Sequence, residues 1–236
     1  MENLNLINID SSDEPYLIRQ EDYSVDSCDI RVLFKNLEDN LCNLILEADA
    51  VFGCVAWMTS EKILSALSKT NASIIVQKED LWRPDLDTSR YPGWKQKLLD
   101  KYMLIKTSCE RLELHPPANR LSFSTDPAID GVRCVGLFNR EKKPASPRMH
   151  HKFLVFTRHS GSFNKHGVGN PPVPYAVWTG SFNFTHNSSQ SFENAVYITN
   201  SVVADAYFLE YQQILAFSEP LDWTEDWCAP EWRIGT

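Results

Sequence analysis

Two short stretches decide how this chain is read: Met149-His150-His151-Lys152-Phe153-Leu154-Val155-Phe156 and Thr179-Gly180-Ser181-Phe182-Asn183-Phe184-Thr185. In the first, four consecutive apolar residues follow two histidines and a lysine. A run of that length without polar alternation fits a strand covered on both faces, at the centre of a sheet. Successive side chains of a strand point to opposite faces, so His150 and Lys152 share one side and His151 takes the other. An imidazole beside an ammonium repels it when both carry charge. The pairing makes chemical sense where an anion sits between them, and it favours the neutral, nucleophilic ring. The second stretch offers a hydroxyl and an amide two residues apart, Ser181 and Asn183, as hydrogen-bond donors. Gly180 before them permits either a close backbone approach or unusual dihedrals. Glu193, ten residues after Asn183, is the candidate to accept a proton from the imidazole and orient it.

Outward from these stretches, apolar periodicity predicts strands over 30–34, 50–57, 73–77, 112–115, 121–124, 132–138, 175–179 and 192–198. Helices are expected over 37–48, 61–67, 94–102 and 202–217, the second capped by Thr59 or Ser60. Alternating strands and helices define an α/β class, a sheet with helices packed against it. The first 25 residues are acidic and aperiodic and read as an irregular arm. Residues 26–236 read as one domain, with the tail tryptophans Trp223, Trp227 and Trp232 docked on its core. Residues 158–174 form a loop rich in Gly, Pro and Asn.

Charge narrows the function. The 236-residue chain has a net charge of −8, yet the charge is segregated. Residues 1–50 carry twelve acidic and three basic side chains, and residues 191–236 carry eight and one. The segment between them is therefore net positive, by 8. Between positions 140 and 166 stand Arg140, Lys142, Lys143, Arg148, Lys152, Arg158 and Lys165 against Glu141 alone. Such a local positive field suits a polyanion. Lys142, Lys143, Arg148, Arg158, His159 and Lys165 are the candidate substrate-binding residues. No apolar run spans a bilayer, the N-terminus lacks the order of a signal peptide, and a cytoplasmic location without membrane insertion is expected. The six cysteines form no CxxC pair, so reduced, partly buried thiols are expected rather than a zinc or redox site. No Asp/Glu/His cluster has metal-ligand spacing, and no cofactor is expected.

The two stretches together resemble the halves of the phospholipase D superfamily motif, HxK with an aspartate five residues on, and GSxN. Here they stand as His150-x-Lys152 and Gly180-Ser181-x-Asn183, and the flanks are most similar to small single-motif nucleases of that superfamily. The resemblance covers roughly residues 148–195. It implies a phospholipase D-like mixed sheet flanked by helices on both faces, and a metal-independent phosphodiesterase. One histidine would attack phosphorus to give a phosphohistidine, and a second would protonate the leaving oxygen and then activate water. Lys152, Ser181, Asn183 and Glu193 would complete the site. Since the chain holds one HxK, the resemblance implies a homodimer with a shared site. Nucleic acid, DNA ahead of RNA, is the expected substrate. A phospholipid phosphodiesterase and a non-catalytic nucleic-acid-binding module are the alternatives. At the position of the family's aspartate stands Thr157.

Overall fold

A computed structural model describes residues 24–78, 93–116, 118–120, 129–136, 148–159 and 171–221. In chain order the elements are β1 (Val25–Asp26), β2 (Ile30–Leu33), α1 (Leu37–Glu47), β3 (Ala50–Val55), α2 (Glu61–Leu67), β4 (Asn71–Gln77) and α3 (Trp94–Met103). Then follow β5 (Val132–Val135), β6 (Lys152–Arg158), β7 (Val173–Gly180), α4 (His186–Ser189), β8 (Ala195–Ile198), α5 (Ser201–Phe217) and β9 (Glu219–Pro220). The strands join in one nine-stranded sheet of order β1-β2-β8-β7-β6-β3-β4-β5-β9. β3, β4 and β5 run parallel, and every other neighbouring pair is antiparallel.

β6 is the middle strand, and its sequence explains why. Phe153, Leu154, Val155 and Phe156 are each no more than 1% exposed. Burying such a side chain stabilises the fold by about 1.5–3 kcal/mol, which a central strand covered on both faces supplies for all four. Leu154 and Phe156 face a core built with Leu41 and Ile45 of α1, Ile63 and Leu67 of α2, and Leu98 and Tyr102 of α3. Phe153 and Val155 face a second core with Phe208, Tyr211 and Leu215 of α5. Helices therefore cover both faces of a mixed sheet.

Ser60 caps α2 as its position suggests, its hydroxyl accepting the Ile63 N–H at 3.2 Å. The same hydroxyl donates to Glu38 and so ties α2 to the first turn of α1. Five cysteines, Cys28, Cys42, Cys54, Cys109 and Cys134, are free, and all but Cys28 are buried.

Several expectations are corrected. Residues 112–115 do not form a strand; Arg111–Glu113 is a turn of 3-10 helix. Its first and last groups close on each other, Glu110 and Glu113 forming a reciprocal capping box. Leu112 and Leu114 alternate over too short a span to separate the two conformations. The strand expected over 132–138 stops at Val135 because Gly136 adopts φ 99°. The strand expected over 192–198 begins only at Ala195. Val25, the last residue of the expected arm, forms with Asp26 a two-residue edge strand paired with Val32 and Arg31. The strand expected over 121–124 and the tail tryptophans lie outside the described residues.

Candidate active site

One end of the sheet gathers the carboxyl ends of β2, β3, β4, β5 and β7 and the amino ends of β6 and β8. Lys152 opens β6 at that end, and His150 precedes it by two residues. Lys152 Nζ lies 3.2 Å from His150 Nδ1 and donates to the His150 carbonyl at 2.8 Å. The two side chains thus lie together, as expected, although His150 stands just outside the strand. His151 indeed takes the opposite side, 3.3 Å from Glu210 of α5 and edge-on to Phe153.

The electrostatics follow from burial and neighbours. His150 is held below the ordinary imidazole value, first by desolvation, then by the charges of Lys152, Arg148 and His151. Desolvation also lowers Lys152, while the charge of Glu193 works in the opposite direction. Both groups are disfavoured as cations, and an arriving anion would relieve both at once.

The second motif half closes β7 on the neighbouring strand. Gly180 is required for close approach, not for dihedrals. A Cβ there would stand 2.3 Å from the Asn194 carbonyl oxygen. That proximity lets Ser181 N–H donate to Asn194 O at 3.1 Å while Asn194 N–H donates to Ser181 Oγ at 3.1 Å. The Ser181 hydroxyl in turn donates to Glu193. Glu193 is thus held by Ser181 within the chain, and not against the imidazole as the sequence suggested. The serine's one hydroxyl proton is committed to that carboxylate. Asn183 lies beyond the end of β7, where strand alternation no longer governs direction. Its Oδ1 is buried with no hydrogen-bond partner among the described residues.

Two residues escaped the sequence reading. Trp57, just past the end of β3, stands edge-on to the His150 ring with centroids 5.4 Å apart, and Lys152 Nζ lies 5.8 Å from its centroid. Its carbonyl accepts the Phe184 N–H at 3.0 Å, which ties the β3 end to the second motif half. Gln77 ends β4 and is 2% exposed. Its Oε1 accepts the Met149 N–H at 2.8 Å, one residue before His150, and its Nε2 donates to the Lys78 carbonyl at 2.9 Å. No sequence signal marks Gln77. Trp57 ends an apolar run and reads as core until β3 is known to pair with β6.

Of the candidate substrate-binding residues, the described ones lie at opposite ends of β6. Arg148 acts on His150 through its charge. Arg158 and His159 sit at the far end of β6, about 25 Å from His150 by strand rise. Arg158 donates to the Glu47 carbonyl at 2.6 Å, pairs with Asp49 at 3.6 Å and lies 4.6 Å from the Tyr175 ring centroid. The His159 N–H donates to Asp49 at 3.1 Å. These contacts anchor the end of β6, and both residues are withdrawn from the site. Lys142, Lys143 and Lys165 lie outside the described residues. Thr157 is fully buried, and its hydroxyl donates to the Ala50 carbonyl at 3.1 Å. It stands about 17 Å along the strand from Lys152.

The two motif halves, His150-x-Lys152 and Gly180-Ser181-x-Asn183, thus meet at one end of adjacent central strands, in a mixed sheet with helices on both faces. The chain is 31% identical over 209 residues to uncharacterized protein L381 of Acanthamoeba polyphaga mimivirus, a match spanning 82% of this chain and 68% of that protein. It belongs to one family with that protein. No protein-family profile matches it. Among solved structures it is similar to Nuc from Salmonella typhimurium, a phospholipase D family member, at 17% identity over 80% of this chain and 95% of that one, with a TM-score of 0.46. It is similar to NucT from Helicobacter pylori at 14% identity, 81% and 98% coverage and a TM-score of 0.48. It is also similar to phosphatidylserine synthase from Haemophilus influenzae at 14% identity, 94% and 42% coverage and a TM-score of 0.46. Among the described residues no helix is long and apolar enough to cross a membrane.

Proposed function

We propose that the protein is a phosphodiesterase that cleaves nucleic acid through a phosphohistidine at His150, in a site shared by two copies of the chain. The observation that carries this reading is the His150–Lys152 pair, a neutral imidazole 3.2 Å from an ammonium that an anion would draw away. In the first step an imidazole nitrogen bonds to phosphorus and the bond to the leaving oxygen breaks, its electron pair captured by a proton from a second imidazole. In the second step that imidazole takes a proton from water, the oxygen attacks phosphorus, and the phosphorus–nitrogen bond breaks. In this reading Lys152 and the Asn183 amide hold the equatorial oxygens. Donors of this kind can neutralise the developing charge without a metal ion.

A second copy is favoured by what one chain provides. While Lys152 is cationic, Nδ1 of His150 accepts from it, which leaves the ring proton on Nε2. For Nε2 to attack, that proton must leave and Nδ1 needs an acceptor beside it. Within the chain Glu193 is bonded to Ser181, and a second imidazole is needed as acid in any case. Nucleic acid is favoured by the net positive central segment of an otherwise acidic chain. DNA is the first substrate to test. The deciding assay offers labelled DNA, RNA and phospholipid side by side in excess chelator. Cleavage of nucleic acid that persists in chelator is expected. Activity that returns only with added magnesium or manganese would overturn the mechanism.

A further inference from the structure

We infer that Trp57 is a positioning residue of the proposed reaction, its indole steadying the His150 ring and supporting the positive charge that His150 has to carry beside Lys152. The inference rests on the reading of His150 as the reacting group, and it adds the means by which one sequence position serves both as nucleophile and as acid. The placement of Trp57 follows from strand register. β3 and β6 run antiparallel with Val55 opposite Lys152. The Ala56 N–H donates to the His151 carbonyl at 2.9 Å, which carries the pairing one residue past both strands. The next opposed pair is Trp57 and His150, and directly opposed side chains of an antiparallel pair lie on one face. On its other side the same backbone is tied to the second motif half. The Trp57 carbonyl accepts the Phe184 N–H at 3.0 Å, and the Thr59 and Ser60 N–H groups donate to the Phe184 carbonyl at 2.7 and 2.8 Å. The indole thus stands on backbone held by both motif halves.

Trp57 is half-buried, and its indole meets both groups of the first motif half. It contacts the His150 ring at 79° with centroids 5.4 Å apart, and the Lys152 ammonium lies 5.8 Å from its centroid. Both distances fall within the roughly 6 Å over which the negative π face of an indole attracts a cation. The charges that act on the His150 ring, those of Lys152, Arg148 and His151, all oppose its protonation, and Glu193 acts on Lys152. That opposition suits a nucleophile, which attacks as the neutral base. It hinders an acid, which must hold its proton until the leaving oxygen takes it. In a shared site both roles fall to His150, one in each copy. The indole eases this conflict. Its quadrupole stabilises the imidazolium without offering a proton acceptor, and it leaves the neutral ring nearly untouched. The edge-on contact also restrains rotation of the imidazole, so that the attacking nitrogen is aimed before substrate arrives.

The test follows the His150 ring carbons by NMR as pH is varied, without substrate, with the signals assigned by their loss in His150→Ala. Trp57→Leu should lower the titration midpoint by about half a pH unit, the size of one exposed contact between a cation and an indole. Trp57→Phe should recover most of that loss. A purely structural role gives the opposite sign, since a smaller side chain admits water and lets the midpoint rise toward the ordinary value. Where Trp57→Leu fails to fold, fluorinated tryptophan placed at position 57 by codon suppression keeps the shape of the ring and weakens its π face. It should lower the midpoint in the same way. With nucleic acid as substrate, Trp57→Leu should lower kcat while changing KM little, and the basic limb of the rate profile should move to lower pH with the midpoint. A midpoint left unmoved or raised by the leucine or by fluorination would overturn the inference, as would a basic limb that does not follow the midpoint. A midpoint lowered by Trp57→Leu in a protein whose wild type cleaves no phosphodiester would sink the phosphodiesterase reading and leave the hold of the indole on the His150 imidazolium standing.

Discussion

At the scale of single residues, the site is a contest between two cations. The folded-state value of His150 is lowered, so the folded protein takes up this proton less readily than the unfolded chain does. Its contribution to stability is therefore fully present above the ordinary value of 6.5 and is lost as pH falls below it toward the folded value. The same displacement extends the neutral nucleophile to lower pH, and the acid limb of the rate profile should fall below 6.5. Lys152→Met removes the largest charge acting on the ring. It should raise the titration midpoint of His150, read by NMR of the ring carbons, and lower kcat by about 10²–10³, the usual effect of losing one preorganised donor. A midpoint that stays put would mean that the Lys152 charge does not act on the imidazole. Much of this was legible in the sequence, since HxK at strand spacing fixes which side chains share a face. The partner of Glu193 was not legible, because it depends on how closely β7 and β8 approach, and that approach is set by the missing Cβ of Gly180.

At the scale of elements, the histidine strand is aimed by contacts from its neighbours in the sheet. Gln77 at the end of β4 reaches past β3 to hold the Met149 amide, and Gly136 leaves it the room. A Cβ at Gly136 would lie 2.5 Å from Gln77 Nε2, and φ 99° is strained for any other residue. Gln77→Leu removes the hydrogen bonds to the Met149 N–H and the Lys78 carbonyl, which should cost about 1–3 kcal/mol in denaturant unfolding. Its turnover should fall while KM changes little, because Gln77 orients the strand head and does not meet the substrate. A loss confined to stability would reduce Gln77 to a packing residue. The long apolar strands β3 and β6 and the helices α1, α2 and α5 were readable because periodicity persists over many residues. The failures were short. Arg111–Glu113, the two-residue strands β1 and β9, and the four-residue α4 offer too few positions for any period to be counted. The position of Arg158 and His159 was hidden for a related reason. Sequence proximity to the motif concealed that β6 carries them to the opposite end of the sheet.

At the scale of the whole molecule, one chain offers one His150, and the proposed chemistry requires two imidazoles. The charge segregation bears on the same point, because a shared site would bring two positive central segments to one polyanion while the acidic ends lie elsewhere in the sequence. Charge reversal at Lys142, Lys143 and Arg148 should then reduce both affinity and its salt dependence. The sharper test is subunit mixing. In a symmetric dimer each interface patch faces its own copy, so a site on the two-fold axis loses one histidine for every mutant chain it contains. His150→Ala should leave the unfolding midpoint nearly unchanged, since surface side chains at a strand end contribute little to the core. When wild type is refolded with a large excess of His150→Ala chain, almost every wild-type subunit sits in a mixed dimer. Activity per wild-type subunit should then fall toward zero, and homodimers rebuilt from wild type alone should show full rates under the same protocol. Undiminished activity per wild-type subunit, with exchange verified by mass, would show that each chain carries a complete site and that the acid comes from another group of its own.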